Sequence, residues 1–268
     1  MKKWEEYAAE ALEAMEEDKY EEGIEYATKS IKAGCKEPQI YYIRGFCNLQ
    51  SHNFDASIKD LDIVIDKDKK NYLARSLRGM CFINKTDYKK ALKDFDFSVK
   101  HCKDSNMDYY YRGICHSYMN NYALAIKDLD KALETEMVED LFYRQRGFCH
   151  YCLQHLKEAK EDILHYTTLV NTDAYCFFVL SKIETDQKNY HEAIKYISQA
   201  IYLDGDNQGY YIERMKLYLM TDQYDKSKVD QERSMSMGLN TMGVMIGGKF
   251  ISLSDMGKMH HNDDEDEE

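Results

Sequence analysis

Tyr109–Leu133 reads YYYRGICHSYMNNYALAIKDLDKAL, and its pattern returns at the same interval to either side. Leu77–Val99 (LRGMCFINKTDYKKALKDFDFSV) is the earlier copy, and Arg144–Tyr166 (RQRGFCHYCLQHLKEAKEDILHY) is the later one. A large residue opens the second half of every copy: Tyr20, Phe54, Tyr88, Tyr122, Leu156, Tyr190 and Tyr224. Seven occurrences at one spacing without an insertion are the signature of a stacked repeat array. Seven units of 34 fill Trp4–Thr241, and a tail from Met242 to Glu268 follows.

Each unit carries two runs of helical apolar spacing separated by a polar break. The single proline, Pro38, leaves such helices unbroken where usage of about 5% would bring roughly 13. The spacing therefore predicts an all-α chain. Asp18, Asn53, Thr86/Asp87, Asn120/Asn121, Asn189 and Asp222 stand in the breaks, as caps for the helix that follows. DKDKKN, KDSN, NTD and DGDN after second helices read as stop signals.

Small residues recur where helices must touch. On the first helices Gly45, Gly79, Gly113 and Gly147 share a column with Ala11 and Ser181. On the second the column is Gly23, Ser57, Ala91, Ala125, Ala159, Ala193 and Ser227. A glycine inside a helix costs about 1 kcal/mol relative to alanine, so keeping four implies close backbone approach. Leu61, Phe95, Leu129, Ile163 and Ile197 are the large partners that fill the space between units, with Gln231 in that place in the last unit. Cys47, Cys81, Cys115 and Cys149 also recur once per unit and read as small structural residues, reduced rather than bridged. Cys149-His-Tyr-Cys152 alone resembles a metal half-site, but it has no second half and no metal is expected.

The aromatic, Gly, Tyr, Ala, apolar, Ala succession within each unit resembles the tetratricopeptide repeat. The resemblance covers about nine tenths of the chain. It implies a right-handed α-solenoid of seven stacked helix-turn-helix units whose concave groove is lined mainly by first helices. The family's usual proline after the second helix is missing. Its tryptophan place holds Tyr7, Tyr41, Arg75, Tyr109, Tyr143, Phe177 and Tyr211.

Two polar columns vary together. Arg44, Arg78, Arg112, Arg146 and Arg214 on first helices are matched, at a constant offset, by Asp60, Asp94, Asp128, Asp162 and Asp230 on second helices. Units one and six lose both members at once, with Glu10 and Tyr26, and Leu180 and Tyr196. Joint loss points to an Arg–Asp pair within each unit, because a buried unpaired charge is expensive. The other reading is an array of arginines for phosphate.

No Gly-rich phosphate loop, GxSxG or HExxH is present, so the chain reads as non-enzymatic and without a cofactor. A net charge of −12 argues against nucleic acid. No apolar run approaches the roughly 20 residues that span a bilayer, and a cytoplasmic chain without membrane insertion is expected. The groove then remains as the site of function, for a protein or peptide partner. The resemblance places Tyr42, Phe46, Met80, Tyr110, Ile114, Arg144, Phe148, Phe178, Lys182 and Lys216 along it. It would be aromatic and apolar first, and basic toward Arg144, Lys182 and Lys216. Either these residues bind a peptide or helix, or the apolar ones merely pack against neighbouring units.

Many relatives hold an acidic heat-shock-protein terminus with a lysine–asparagine–asparagine–lysine–arginine clamp. The corresponding places here hold Ala8, Leu12, Ile43, Leu73 and Leu77, which disfavours that role. A permanent structural subunit, cytoskeletal or ciliary for example, or a co-chaperone without the clamp, is the alternative to a binding scaffold. Residues 242–268 read as a flexible, methionine- and glycine-containing acidic tail. Its end, Asp263–Glu268, either folds back toward the basic end of the groove or remains solvated.

Overall fold

A computed structural model describes residues 2–102, 105–134, 139–241, 243–246 and 249–252. Helices come in pairs: α1 (Lys3–Glu16) and α2 (Tyr20–Lys32), α3 (Pro38–Gln50) and α4 (Phe54–Lys67), α5 (Tyr72–Asn84) and α6 (Tyr88–His101). They continue as α7 (Asn106–Tyr118) and α8 (Tyr122–Leu133), then α9 (Asp140–Cys152) and α10 (Leu156–Leu169). The last are α11 (Ala174–Asp186) and α12 (Tyr190–Leu203), and α13 (Gln208–Met220) and α14 (Tyr224–Thr241). The stretch after α14, which the sequence does not assign to a helix, holds an antiparallel hairpin of β1 (Gly243–Ile246) and β2 (Lys249–Ser252). The docking considered for Asp263–Glu268 lies outside the described residues.

The chain forms two compact units, Met1–Leu153 and Gln154–Glu268, so the fifth repeat is shared between them. In the first unit every helix packs on the next from α1 to α9, and the first helices α1, α3, α5, α7 and α9 also touch in succession. In the second, α10 to α14 pack in chain order.

The breaks between paired helices work differently from the sequence expectation. Asp18, His52, Thr86, Asn120, Gln154, Lys188 and Asp222, one per repeat, all take φ between 57° and 64°. This left-handed residue closes the first helix, and the next amide reaches back, Asn121 N to His116 O at 2.8 Å and Asn53 N to Asn48 O at 2.7 Å. Asp18, Asn120 and Asp222 accept hydrogen bonds from the hydroxyls of Tyr20, Tyr122 and Tyr224. Asn53, Asn121 and Asn189 make no side-chain cap, and of the break residues only Asp87 caps the second helix, accepting from Lys90 N. Capping belongs instead to the segments read as stop signals: Asn71, Ser105, Asp173 and Asn207 cap the first helix that follows. Pro38 sits in the first turn of α3, where a missing N–H costs nothing.

The core follows the columns. Leu61, Phe95, Leu129, Ile163 and Ile197 are sealed, and so are Cys47, Cys81, Cys115 and Cys149. Burial pushes the thiols of Cys47 and Cys149 up to about 11 and that of Cys115 to about 12, so they stay protonated at neutral pH. The helix glycines leave room chiefly for side chains. A Cβ on Gly45 or Gly113 would stand 3.1 Å from Leu61 Cγ or Leu129 Cγ, and one on Gly79 2.8 Å from the Phe95 ring. Backbone approach contributes at Gly113, where the carbonyl of Ala125 lies 3.3 Å from the same point.

The arginine column pairs as its spacing predicts. Arg44, Arg78, Arg112 and Arg214 each give Nε and Nη2 to the two oxygens of Asp60, Asp94, Asp128 and Asp230, at 2.6–2.8 Å. The third nitrogen reaches back to the second helix of the preceding repeat. Arg78 Nη1 meets Asp62, Arg112 Nη1 meets Asp96, and Arg146 Nη1 meets Asp130, at 2.5, 3.1 and 2.7 Å. Thr28 and Ser198 receive Arg44 and Arg214 in the same way. For Arg44 and Arg214, the hydrogen bond to the aspartate outweighs burial and raises the guanidinium pKa.

Gly79→Ala tests the packing columns. Overpacking against the sealed Phe95 ring is expected to cost about 1–3 kcal/mol in urea unfolding, although alanine is the better helix former by about 1 kcal/mol. Adding Phe95→Leu should recover part of that loss.

Candidate functional site

Neighbouring first helices in the N-terminal unit present a continuous face because each contacts the next at the repeat register. Tyr42 and Phe46 lie on α3, Met80 on α5, Tyr110 and Ile114 on α7, and Arg144 and Phe148 on α9. All seven are half-buried. Part of each accounted-for side chain is spent on the array: Phe46 meets the edge of Tyr20 at 6.2 Å, and Tyr110 packs on Phe142 at 4.8 Å. Met80 joins two apolar clusters. Packing and accessibility therefore coexist in the same residues.

Two cavities border α3, the second of them lined by Tyr42. One, of about 310 Å³, is walled by Trp4, Ala8, Ala9, Leu12, Ile40 and Ile43, with Glu37 and Gln39 at its rim. Repeat one has Ala8 and Ala9 where repeat two carries Tyr42 and Ile43. The other, of about 380 Å³, lies between Pro38, Tyr42, Val64 and Leu73, beside Asp68 and Asn71. Leu73 is 53% exposed.

In the C-terminal unit the Phe178 ring packs at a tilt, 5.4 Å from Tyr210 and 6.0 Å from Tyr175. Lys182 is held at 3.0 Å by Glu213, whose other oxygen lies 3.7 Å from Lys216. Glu213 is 8% exposed, and Lys216 stands out into solvent. Arg144 belongs to the other unit, and Lys182 and Lys216 share one acid, which leaves the two lysines a single excess positive charge. Sequence reasoning missed Glu213; the signal that could have found it is its column, which in earlier repeats holds Ala9, Ile43, Leu77, Tyr111, Gln145 and Val179.

A second exchange accompanies it. Lys160 on α10 stands where the four earlier repeats carry isoleucine or leucine, and it binds Glu184 on α11 at 2.6 Å. Glu184 is 1% exposed and also accepts from Asn189 at 2.9 Å. The pair borders a cleft of about 800 Å³ with Tyr196 and Met220. Among the described residues no group of three His, Cys, Asp or Glu comes together as a metal site, and no helix is long and apolar enough to cross a membrane.

The Lys182–Glu213 exchange carries a prediction. Glu213→Leu alone leaves a half-buried ammonium uncompensated and should destabilise by about 1–3 kcal/mol. Lys182→Met with Glu213→Leu restores an apolar contact of the kind used earlier in the array, and should be as stable as the parent or more so. Chemical unfolding of the three variants measures this.

Residues 174–207 match the family model of the tetratricopeptide repeat. The chain matches no curated protein sequence. Among solved structures, it is similar to the C-terminal part of a TPR repeat-containing protein from Cytophaga hutchinsonii. That similarity has a TM-score of 0.67 at 15% identity over 86% of this chain and 95% of the other. YrrB, described as a TPR protein with an unusual peptide-binding site, gives 0.58 at 15% identity, covering 66% of this chain and 91% of its own. Cut9, in the APC/C hetero-tetramer Cut9–Hcn1, gives 0.63 at 13% identity, over 89% of this chain and 51% of its own. The chain thus contains a tetratricopeptide repeat at residues 174–207 and folds as tetratricopeptide-repeat proteins do.

Proposed function

We propose that the chain is a protein–protein interaction scaffold whose first-helix face receives a segment of a partner protein. Solenoids of this kind offer extended surfaces built from successive repeats. The observation that carries the reading is the row Phe46, Met80, Ile114 and Phe148, apolar, half-buried and repeated at each step of the N-terminal unit from α3 to α9. A row left half-open at four consecutive repeats offers a partner regularly spaced apolar anchors. The peptide-binding site named for YrrB is consistent with this use of the fold. Tyr42, Tyr110 and Arg144 would flank the row, and Phe178, Lys182 and Lys216 would offer contacts of their own on the C-terminal unit.

Met80→Lys with Ile114→Lys tests this. Lysine stems can lie along the face with their charges in water, so circular dichroism and thermal melting should change little. Proteins retained from a native lysate by the parent chain are expected to fall about tenfold or more on the variant, a loss of roughly 1.4 kcal/mol or more. Equal retention of the same proteins by both would overturn the assignment.

A further inference from the structure

The two cavities around α3 say what kind of partner segment fits. We infer that the N-terminal unit recognises an extended segment bearing a large apolar side chain and, about three residues away, a lysine or arginine. This rests on the reading of the first-helix face as the binding surface.

The Trp4/Ala8/Leu12/Ile43 cavity is walled by apolar side chains, and its 310 Å³ admits a side chain as large as tryptophan. A partner side chain there would occupy the space that Tyr42 and Ile43 take one repeat later, where repeat one has Ala8 and Ala9. The second cavity is mixed. Tyr42, Val64 and Leu73 suit an aliphatic stem or the face of a guanidinium, and Asp68 waits at the end.

Charge decides the sign of the partner group. Glu37 and Asp68 are the charged side chains lining the two cavities; both are exposed, and neither has an ion-pair partner among the described residues. Asp68 uses one oxygen for the amide of Lys70 and keeps the other. The surrounding repeat reinforces Glu37, since Trp4–Glu37 holds eleven acidic residues against four lysines, whereas Asp68 stands among Lys67, Lys69 and Lys70, of which Lys69 is paired with Asp66. An acidic segment would be repelled here, and a basic one attracted. Spacing follows from the fold, since the cavities flank one helix and packed helices lie about 8–10 Å apart. An extended chain covers that distance in about three residues at about 3.3 Å each.

The probes are short acetylated peptides in a Gly/Ser background, with Trp and Arg three apart in either order. Companions replace Arg by Glu or Trp by Ala. Binding to the full chain is followed by amide chemical shifts. The Trp/Arg peptide is expected to shift resonances around Ala9, Ile40 and Leu73, and to bind about 2–5-fold tighter than Trp/Glu at low salt for each acid engaged. That preference should narrow as salt rises. Ala8→Trp should remove the shifts around Ala9 and Ile40. Glu37→Lys with Asp68→Lys, at exposed positions that leave the fold intact, should reverse the preference.

Equal binding of Trp/Glu and Trp/Arg would overturn the basic partner and leave the binding face standing. Shifts confined to other first helices, or undiminished by Ala8→Trp, would overturn the cavity assignment alone. No first-helix shift with any peptide would overturn both this inference and the reading beneath it.

Discussion

One guanidinium holds three helices. Arg112 on α7 grips Asp128 on α8 with two nitrogens and Asp96 on α6 with the third. The same group therefore fixes the angle within a repeat and the seat of that repeat on the one before. Arginine suits the task because its donors form a rigid fork and it stays charged when largely buried. Lysine at this place could satisfy only one direction at a time. The small-residue columns that let Leu129 lie over Gly113 are useful only if the helices arrive in this register.

Where the bridge is missing, other contacts take its place. Repeat six has Leu180 and Tyr196 at the two positions, and it is bounded by Lys160–Glu184 on one side and Lys182–Glu213 on the other. Both are pairs between successive repeats, and the places of Lys160, Lys182 and Glu213 are mainly apolar earlier in the chain. A buried ion pair contributes little net stability, yet it penalises any wrong neighbour, since a lone buried charge is costly. The first-helix face shows the same division of labour. Its apolar side chains are half-buried, and Ala8 and Ala9 at the start of the array line a cavity.

The period, the helix pairs and the Arg–Asp partnership were legible because each repeats and each loss is mirrored in its partner. Units one and six lack both members together, and that covariation within a single chain is a contact map in miniature. The second acceptor was missed because Thr28, Asp62, Asp96, Asp130 and Ser198 share hydrogen-bonding ability, not residue identity. Apart from Asp87, which caps its second helix as expected, capping was assigned to the wrong helix because Asp and Asn favour both a cap and a left-handed turn. Thr86 and Lys188 in left-handed turns show that the repeat geometry overrides residue preference there. Among candidate site residues the columns were readable. What lay between them, such as the alanine-lined cavity or Glu213 between two lysines, depends on side chains from two or three repeats meeting in space.

The central claim is that Arg44, Arg78, Arg112 and Arg214 each couple three helices, and a pair of double-mutant cycles on Arg112 tests it most directly. Asp128 is 4% exposed, so Arg112→Ala and Asp128→Ala should each destabilise strongly and couple by about 1–3 kcal/mol. Asp96 has a side chain 57% exposed, and its coupling to Arg112 should be present but below about 1 kcal/mol. Strict additivity of Arg112→Ala with both aspartate substitutions would contradict the account, because the side chains would then not be energetically joined.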